Sequence, residues 1–186
     1  MLGLQSRSIA DEPTRKKFED SQHRIQSMAL LHEGLYQSGD LARIDFAGYL
    51  GSLADSLFRF YETGSRVSLH HEFGHLFLDM DSAVPCGLIV SELLSNALKY
   101  GFPGGRNGNV RLELRLVPSG AARLVVADNG VGFPYGFNWL TSRSLGLRLV
   151  RTLAEQLGAT IELDQNNGTC FTLLFPFRES RSREAG

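Results

Sequence analysis

The chain has 186 residues, 42% of them hydrophobic and 21% charged, with a formal net charge of −1 at pH 7. These are ordinary values for a globular protein, and the length allows a buried core with an attached element. The near-neutral charge argues against bulk nucleic-acid binding, and no apolar run approaches the roughly eighteen residues that a membrane span needs.

Residues 1–36 read mostly as helix, interrupted at Asp11-Glu12-Pro13-Thr14, where Pro13 suits the first turn of a second helix and Asp11 or Glu12 its cap. In that second helix Phe18, Ile25, Met28, Ala29, Leu31 and Leu35 form an apolar stripe. Gln37-Ser38-Gly39-Asp40 is a break. Residues 45–61 read as a further helix with Phe46, Tyr49, Leu50, Leu53, Leu57 and Phe60 on one side, ended by Gly64. The period then changes to that of strands at Val67 and Leu69, and again at Leu76 and Leu78 after a turn at Gly74. Residues 83–100 are predicted helical, 101–109 a glycine-rich loop, and 110–117 with 123–127 a strand hairpin. A helix over 145–157 stops at Gly158, strands follow at 160–163 and 170–175, and a charged tail begins at Glu179. Cys86 and Cys170 have apolar neighbours and no metal-ligand spacing, as expected of buried thiols in a reducing compartment. No signal peptide is legible, so this stretch is expected to be cytoplasmic.

Two segments carry chemistry. In a helix, Glu92, Asn96 and Lys99 stand at i, i+4 and i+7, so a carboxylate, an amide oxygen and an ammonium project from one face, with Leu93, Leu94, Ala97 and Leu98 on the other. Magnesium bridging phosphates takes hard oxygen ligands, and a lysine neutralises phosphate charge. The second segment, Asp128-Asn129-Gly130-Val131-Gly132-Phe133, ends an apolar strand. A strand-terminal carboxylate can accept from an exocyclic amine, and the glycines allow backbone to approach a ring. Taken singly, the first is also what an amphipathic surface helix looks like, and the second what a tight turn looks like.

Together and in this order, the segments resemble the two halves of the ATP site of histidine kinases, gyrase and heat-shock chaperones. Ser144-Leu145-Gly146-Leu147-Arg148 resembles the family's second glycine box, where a helix N-terminus meets phosphates. Asn167-Gly168-Thr169-Cys170-Phe171 resembles its last strand entry, and residues 23–36 are similar to the second dimerisation helix of the subfamily related to the HWE kinases. The resemblance covers roughly residues 2–177 and is to a sensor histidine kinase. It implies an α+β fold, a two-layer sandwich of the Bergerat ATP-binding kind, with a mixed sheet covered on one face by helices and preceded by dimerisation helices.

The same resemblance implies ATP and Mg²⁺ as cofactors, with Asn96 on the metal, Lys99 on phosphate and Asp128 on adenine. Thr169 supports the adenine side, Gly130, Gly132 and Gly146 give backbone access, and Tyr100 and Leu147 complete the site. Glu92 either activates water, as in related ATPases, or orients the metal. The implied reaction is transfer of the γ-phosphoryl group to a histidine and then to a response-regulator aspartate, in a homodimer formed through the N-terminal helices. No contact with nucleic acid or membrane is expected from this segment. The implied division is a partial dimerisation domain at 1–62, a catalytic domain at 63–178 and a disordered tail at 179–186.

Two departures stand out. The family's acceptor histidine precedes a segment like Leu2-Gly3-Leu4-Gln5-Ser6-Arg7, so it is expected to be missing here, and His23 and His32 lie in the wrong helix to replace it. Ser144 stands where many kinases have a glycine. A different function, that of a non-catalytic nucleotide-binding adaptor pairing with a kinase or regulator, stays open beside the kinase.

His71-Glu72-Phe73-Gly74-His75 also fits the H-E-x-x-H zinc pattern. That chemistry needs a helix, whereas the alternation at Val67 and Leu69 predicts a strand, so no zinc site is expected at His71 and His75. His32 and Glu33 are expected to pack between helices or at the dimer interface. Phe137 and Trp139 lie in the lid between the glycine boxes, packing either over the nucleotide or against the domain.

Overall fold

The computed structural model describes residues 43–61 and 66–177 without interruption, and Asp11, Thr14, Arg15, Phe18, Ser21, Ile25 and Ala29 singly. Strand β1 (Ile44–Asp45) leads directly into helix α1 (Phe46–Phe60). The Asp45 carboxylate accepts from the Gly48 N–H at 3.1 Å and caps that helix. Phe46, Leu50, Leu53 and Leu57 follow at helical spacing and are all buried. After β2 (Val67–Phe73), the short β3 (Phe77–Leu78) returns to pair antiparallel with β1.

Asp79 caps α2 (Met80–Asn96) in the same way, accepting from Ser82 N–H at 2.9 Å. Helix α2 is buried almost all round because it packs between α1 and α3 (Leu145–Gln156) and against the sheet. Gly87 permits the close approach of α1, since a Cβ there would stand 2.5 Å from the Tyr49 hydroxyl oxygen. Burial in this helix contact pushes the Tyr49 phenol and the Cys86 thiol up from their ordinary pKa values.

The main sheet comprises β2, β4 (Gly108–Leu116), β5 (Ala121–Asp128), β7 (Thr169–Pro176) and β6 (Thr160–Asp164), in that spatial order. The β2–β4 pair is parallel and the other pairs antiparallel. Register places Leu112 beside Val126 and Val126 beside Phe171, with Leu114, Leu124 and Leu173 in the next row. This face is buried against the helices. Each fully buried leucine or phenylalanine contributes roughly 1.5–3 kcal/mol relative to exposure, so the shared face holds the two layers together. On the opposite face Glu113 pairs with Arg111 and with Arg123, the latter at 3.1 Å. The result is the expected two-layer α+β sandwich, a mixed sheet with helices on one face.

Several expectations shift. Helix α2 starts at Met80 rather than Ala83, and its α-helical part ends at Asn96, where a π-helical turn (Ala97–Gly101) takes over. Helix α1 shares one core with α2 and the sheet. Near the N-terminus, Asp11 is the capping residue: its Oδ2 accepts from Thr14 N–H and its carbonyl from Arg15 N–H, both at 2.9 Å. Of the expected apolar stripe, Phe18 is half-buried, while Ile25 and Ala29 are exposed. Met28, Leu31, Leu35, the break at 37–40, Gly64, His23, His32, Glu33 and the tail from 179 fall outside the described residues. Among the described residues, no helix is long and apolar enough to cross a membrane.

Candidate functional site

A cavity of about 630 Å³ lies between the C-terminal half of α2, the π-turn, the end of β5 and the start of α3. Small-molecule sites typically measure roughly 300–1,000 Å³. Its wall brings together Glu92, Asn96, Lys99, Tyr100, Asp128, Gly132, Gly146, Leu147 and Thr169. Gly130 does not line it and works from behind, as the geometry around Asp128 shows.

Asp128 is the last residue of β5, paired with Val110 on one side and Thr169 on the other. It is 8% exposed. Burial raises its carboxyl pKa, opposed in turn by hydrogen bonds from the Gly130 backbone and from the Thr169 hydroxyl and backbone. The Gly130 N–H donates to Asp128 Oδ1 at 2.8 Å. A Cβ on Gly130 would sit 2.6 Å from Gly101 Cα and 2.7 Å from that same oxygen. The glycine at 130 therefore serves close packing of the turn behind the carboxylate. Gly132, with φ +68°, adopts the left-handed conformation and reaches the cavity itself.

The turn after Asp128 is clamped to the glycine-rich loop. Asn129 Oδ1 accepts from Asn109 N–H at 2.8 Å, Arg106 donates to the Asn129 carbonyl at 3.1 Å, and Val131 N–H donates to the Gly101 carbonyl at 2.9 Å. Gly101, Asn129 and Arg106 had no role in the motif reading. Asn129 stands inside the second motif, but its partners lie across the loop and leave no spacing signal.

At the other end of the cavity, Glu92 and Asn96 project from α2 and supply carboxylate and amide oxygens, the donor set a hard divalent cation takes. Lys99 lies in the π-turn, so the i+7 geometry of a regular helix does not apply to it. Its ammonium stands 5.7 Å from the centroid of the Tyr61 ring, within cation–π range. Tyr100 is 65% exposed at the rim. Ser144 caps α3, its hydroxyl accepting from Leu147 N–H at 3.4 Å. A serine in place of glycine thus occupies one first-turn donor with its own side chain.

His71 lies in β2 and stacks on Phe73, with ring centroids 4.8 Å apart. The helix that the H-E-x-x-H zinc pattern requires is not formed there.

Residues 82–179, more than half of the chain, match the family described as histidine kinase-, DNA gyrase B- and HSP90-like ATPase, and residues 1–61 match one described as histidine kinase. The chain belongs to the histidine kinase family. It is 26% identical over 171 residues to blue-light-activated histidine kinase 2 of Erythrobacter litoralis, covering 89% of this chain and 49% of that protein. It is 31% identical over 163 residues to the sensor histidine kinase PdtaS of Mycobacterium tuberculosis, covering 83% and 31%. It therefore spans half or less of these curated relatives. The solved histidine kinase domain of the Erythrobacter litoralis EL346 blue-light-activated kinase superposes with a TM-score of 0.78 at 26% identity, over 84% of this chain and 74% of that one. The ATPase family match implies ATP as the ligand class of the cavity.

In this kinase fold the lid splits into two roles. Phe133 and Phe137 stack at 4.4 Å and line the cavity. Trp139 is buried and meets Phe171 edge-to-face at 5.4 Å, packing against the domain. Arg151, unmarked by any motif, secures the far end of the lid: one guanidinium nitrogen donates to the carbonyls of Trp139 at 3.0 Å and Ser142 at 3.2 Å. Arg151→Met keeps the stem and removes both bonds, with an expected destabilisation of about 1–3 kcal/mol. Trp139 is the single tryptophan, so its emission should shift to the red in this variant. An unchanged spectrum would show that the lid end is held by packing alone.

Proposed function

We propose that this chain is the ATP-loading catalytic part of a two-component sensor histidine kinase, passing the γ-phosphoryl group of ATP to a histidine and thence to a response-regulator aspartate. The reading is carried by one observation: both motifs, distant in sequence, line the same cavity. Asp128, held by Gly130 and Thr169, accepts from the adenine amine; Thr169 and Gly132 flank the ring, and Tyr100 and Leu147 complete the walls. Asn96, with Glu92 beside it, would hold Mg²⁺, which when bound would neutralise phosphate charge, and Lys99 contacts phosphate. Glu92 would orient the metal and its ligands. What remains for the protein is to align the γ-phosphate with an imidazole nitrogen, which is mainly positioning and electrostatic stabilisation.

Whichever helix carries it, the acceptor imidazole must reach the γ-phosphate end of the cavity. Homodimerisation uses the N-terminal helices, where Ile25 is 54% exposed. The kinase acts in the cytoplasm. The adaptor alternative is not favoured, since family membership extends over both matched regions.

The test is Mg-ATP binding by calorimetry, followed by transfer of labelled γ-phosphate to a helical fragment bearing the acceptor histidine. Binding and transfer are expected. Tight binding with no transfer to any such fragment would sink the kinase reading and return the adaptor.

A further inference from the structure

The sequence motif assigns Gly146 to backbone access for phosphates, but another group occupies the space its missing side chain leaves. A Cβ built on Gly146 would overlap Glu92 Oε2 and lie 3.6 Å from the carboxyl carbon. Glu92 comes from α2, is 9% exposed and lines the cavity. Gly146 belongs to the first turn of α3, directly after the Ser144 cap. The start of a helix carries partial positive charge and N–H groups without intrahelical partners, a favourable surrounding for a buried carboxylate.

We infer that Gly146 is a positioning residue: its missing side chain forms the notch that holds the Glu92 carboxylate against α3, in the place from which it orients the metal-bearing end of the cavity. The inference rests on the ATP reading above and deepens it. Neighbouring Leu93, Leu94 and Ser95 are buried, so the core leaves little room on that side. A carboxylate displaced from the notch no longer orients the metal. That weakens the hold on a metal-bound polyphosphate and leaves an uncharged adenosine almost unaffected. Backbone access alone predicts a different pattern, because a methyl group at 146 would then obstruct the phosphates whatever stands at 92.

The experiment compares the parent chain, Gly146→Ala, Glu92→Ala and the double variant, titrating each with ATP and with adenosine in the presence of Mg²⁺. Gly146→Ala is expected to lose roughly tenfold in ATP affinity, the size of a direct contact coupling, with adenosine affinity little changed. In the Glu92→Ala background the same substitution should cost far less. Equal losses in both backgrounds overturn the inference and leave backbone access as the role of Gly146. A parent chain that binds neither ligand overturns the ATP reading on which it rests. If Gly146→Ala does not fold, thermal unfolding becomes the readout. Removing the carboxylate should then restore a cooperative transition, and failure to restore it also overturns the inference.

Discussion

Asp128→Asn is expected to weaken ATP binding by roughly a hundredfold or more, because it replaces a charged acceptor in a buried site and, under the proposed contact, sets a donor against the adenine amine. The parent carboxylate is 8% exposed and already accepts from the Gly130 N–H at 2.8 Å, so it is held in place before any ligand arrives. Unchanged affinity in calorimetry would remove Asp128 from the adenine site.

The wild-type protein adds a pH signature. Burial raises the Asp128 pKa above its unfolded value, so as pH falls this carboxylate is lost earlier than an ordinary aspartate. Adenosine carries no titrating phosphate, and its affinity should fall as pH drops through that raised value. The stability linkage has the opposite sign. A raised folded-state pKa contributes stability that is fully present below the unfolded pKa and is lost as pH rises through the folded one. Acidification within this window should therefore weaken binding without Asp128 contributing to unfolding. Parallel titrations of affinity and unfolding temperature test the pair, and an affinity that stays flat down to the ordinary aspartate range would contradict the burial argument.

How much of this was legible in the sequence follows from how local each cause is. The strands at 110–117 and 123–127 were read nearly to their ends because alternation is a local signal, and Val110, Leu112 and Leu114 do face the core. The cap Asp11 stands beside the helix it starts, whereas Asp45, expected inside a helix over 45–61, is that helix's cap. The π-turn was invisible because Ala97-Leu98-Lys99-Tyr100 offers no local objection to a regular helix. Its position, immediately before Gly101 packs against Asp128 and Gly130, belongs to tertiary contact. The parallel β2–β4 pair was equally hidden, since its partners are separated by α2 and nothing in either strand encodes the other. Within the site, the cavity-lining residues were legible as motifs. The supports were not: Arg151 sits in an amphipathic helix as an ordinary charged residue, and only the folded lid gives it two carbonyls.

Gly168→Ala is expected to be the most damaging single methyl addition in the domain, at roughly 2–5 kcal/mol, from left-handed backbone strain and overpacking together. Gly168 has φ +95°, and a Cβ there would overlap the Asp128 carbonyl and lie 2.8 Å from Asn129 Cα. The obstruction is backbone on β5, which no rotamer change can relieve. Gly158, which follows α3, separates the two causes. Its φ is +62°, yet a Cβ there meets nothing within 4 Å, so Gly158→Ala carries backbone strain with no crowding, about 1 kcal/mol. Urea unfolding of both variants measures the difference. Equal costs would mean that crowding at 168 is relieved by movement of the 165–168 turn. The predicted inequality has a functional corollary: the methyl at 168 presses on the same peptide that carries the Asp128 side chain. Gly168→Ala should therefore lower ATP affinity even in the fraction that remains folded, while Gly158→Ala should leave that affinity intact.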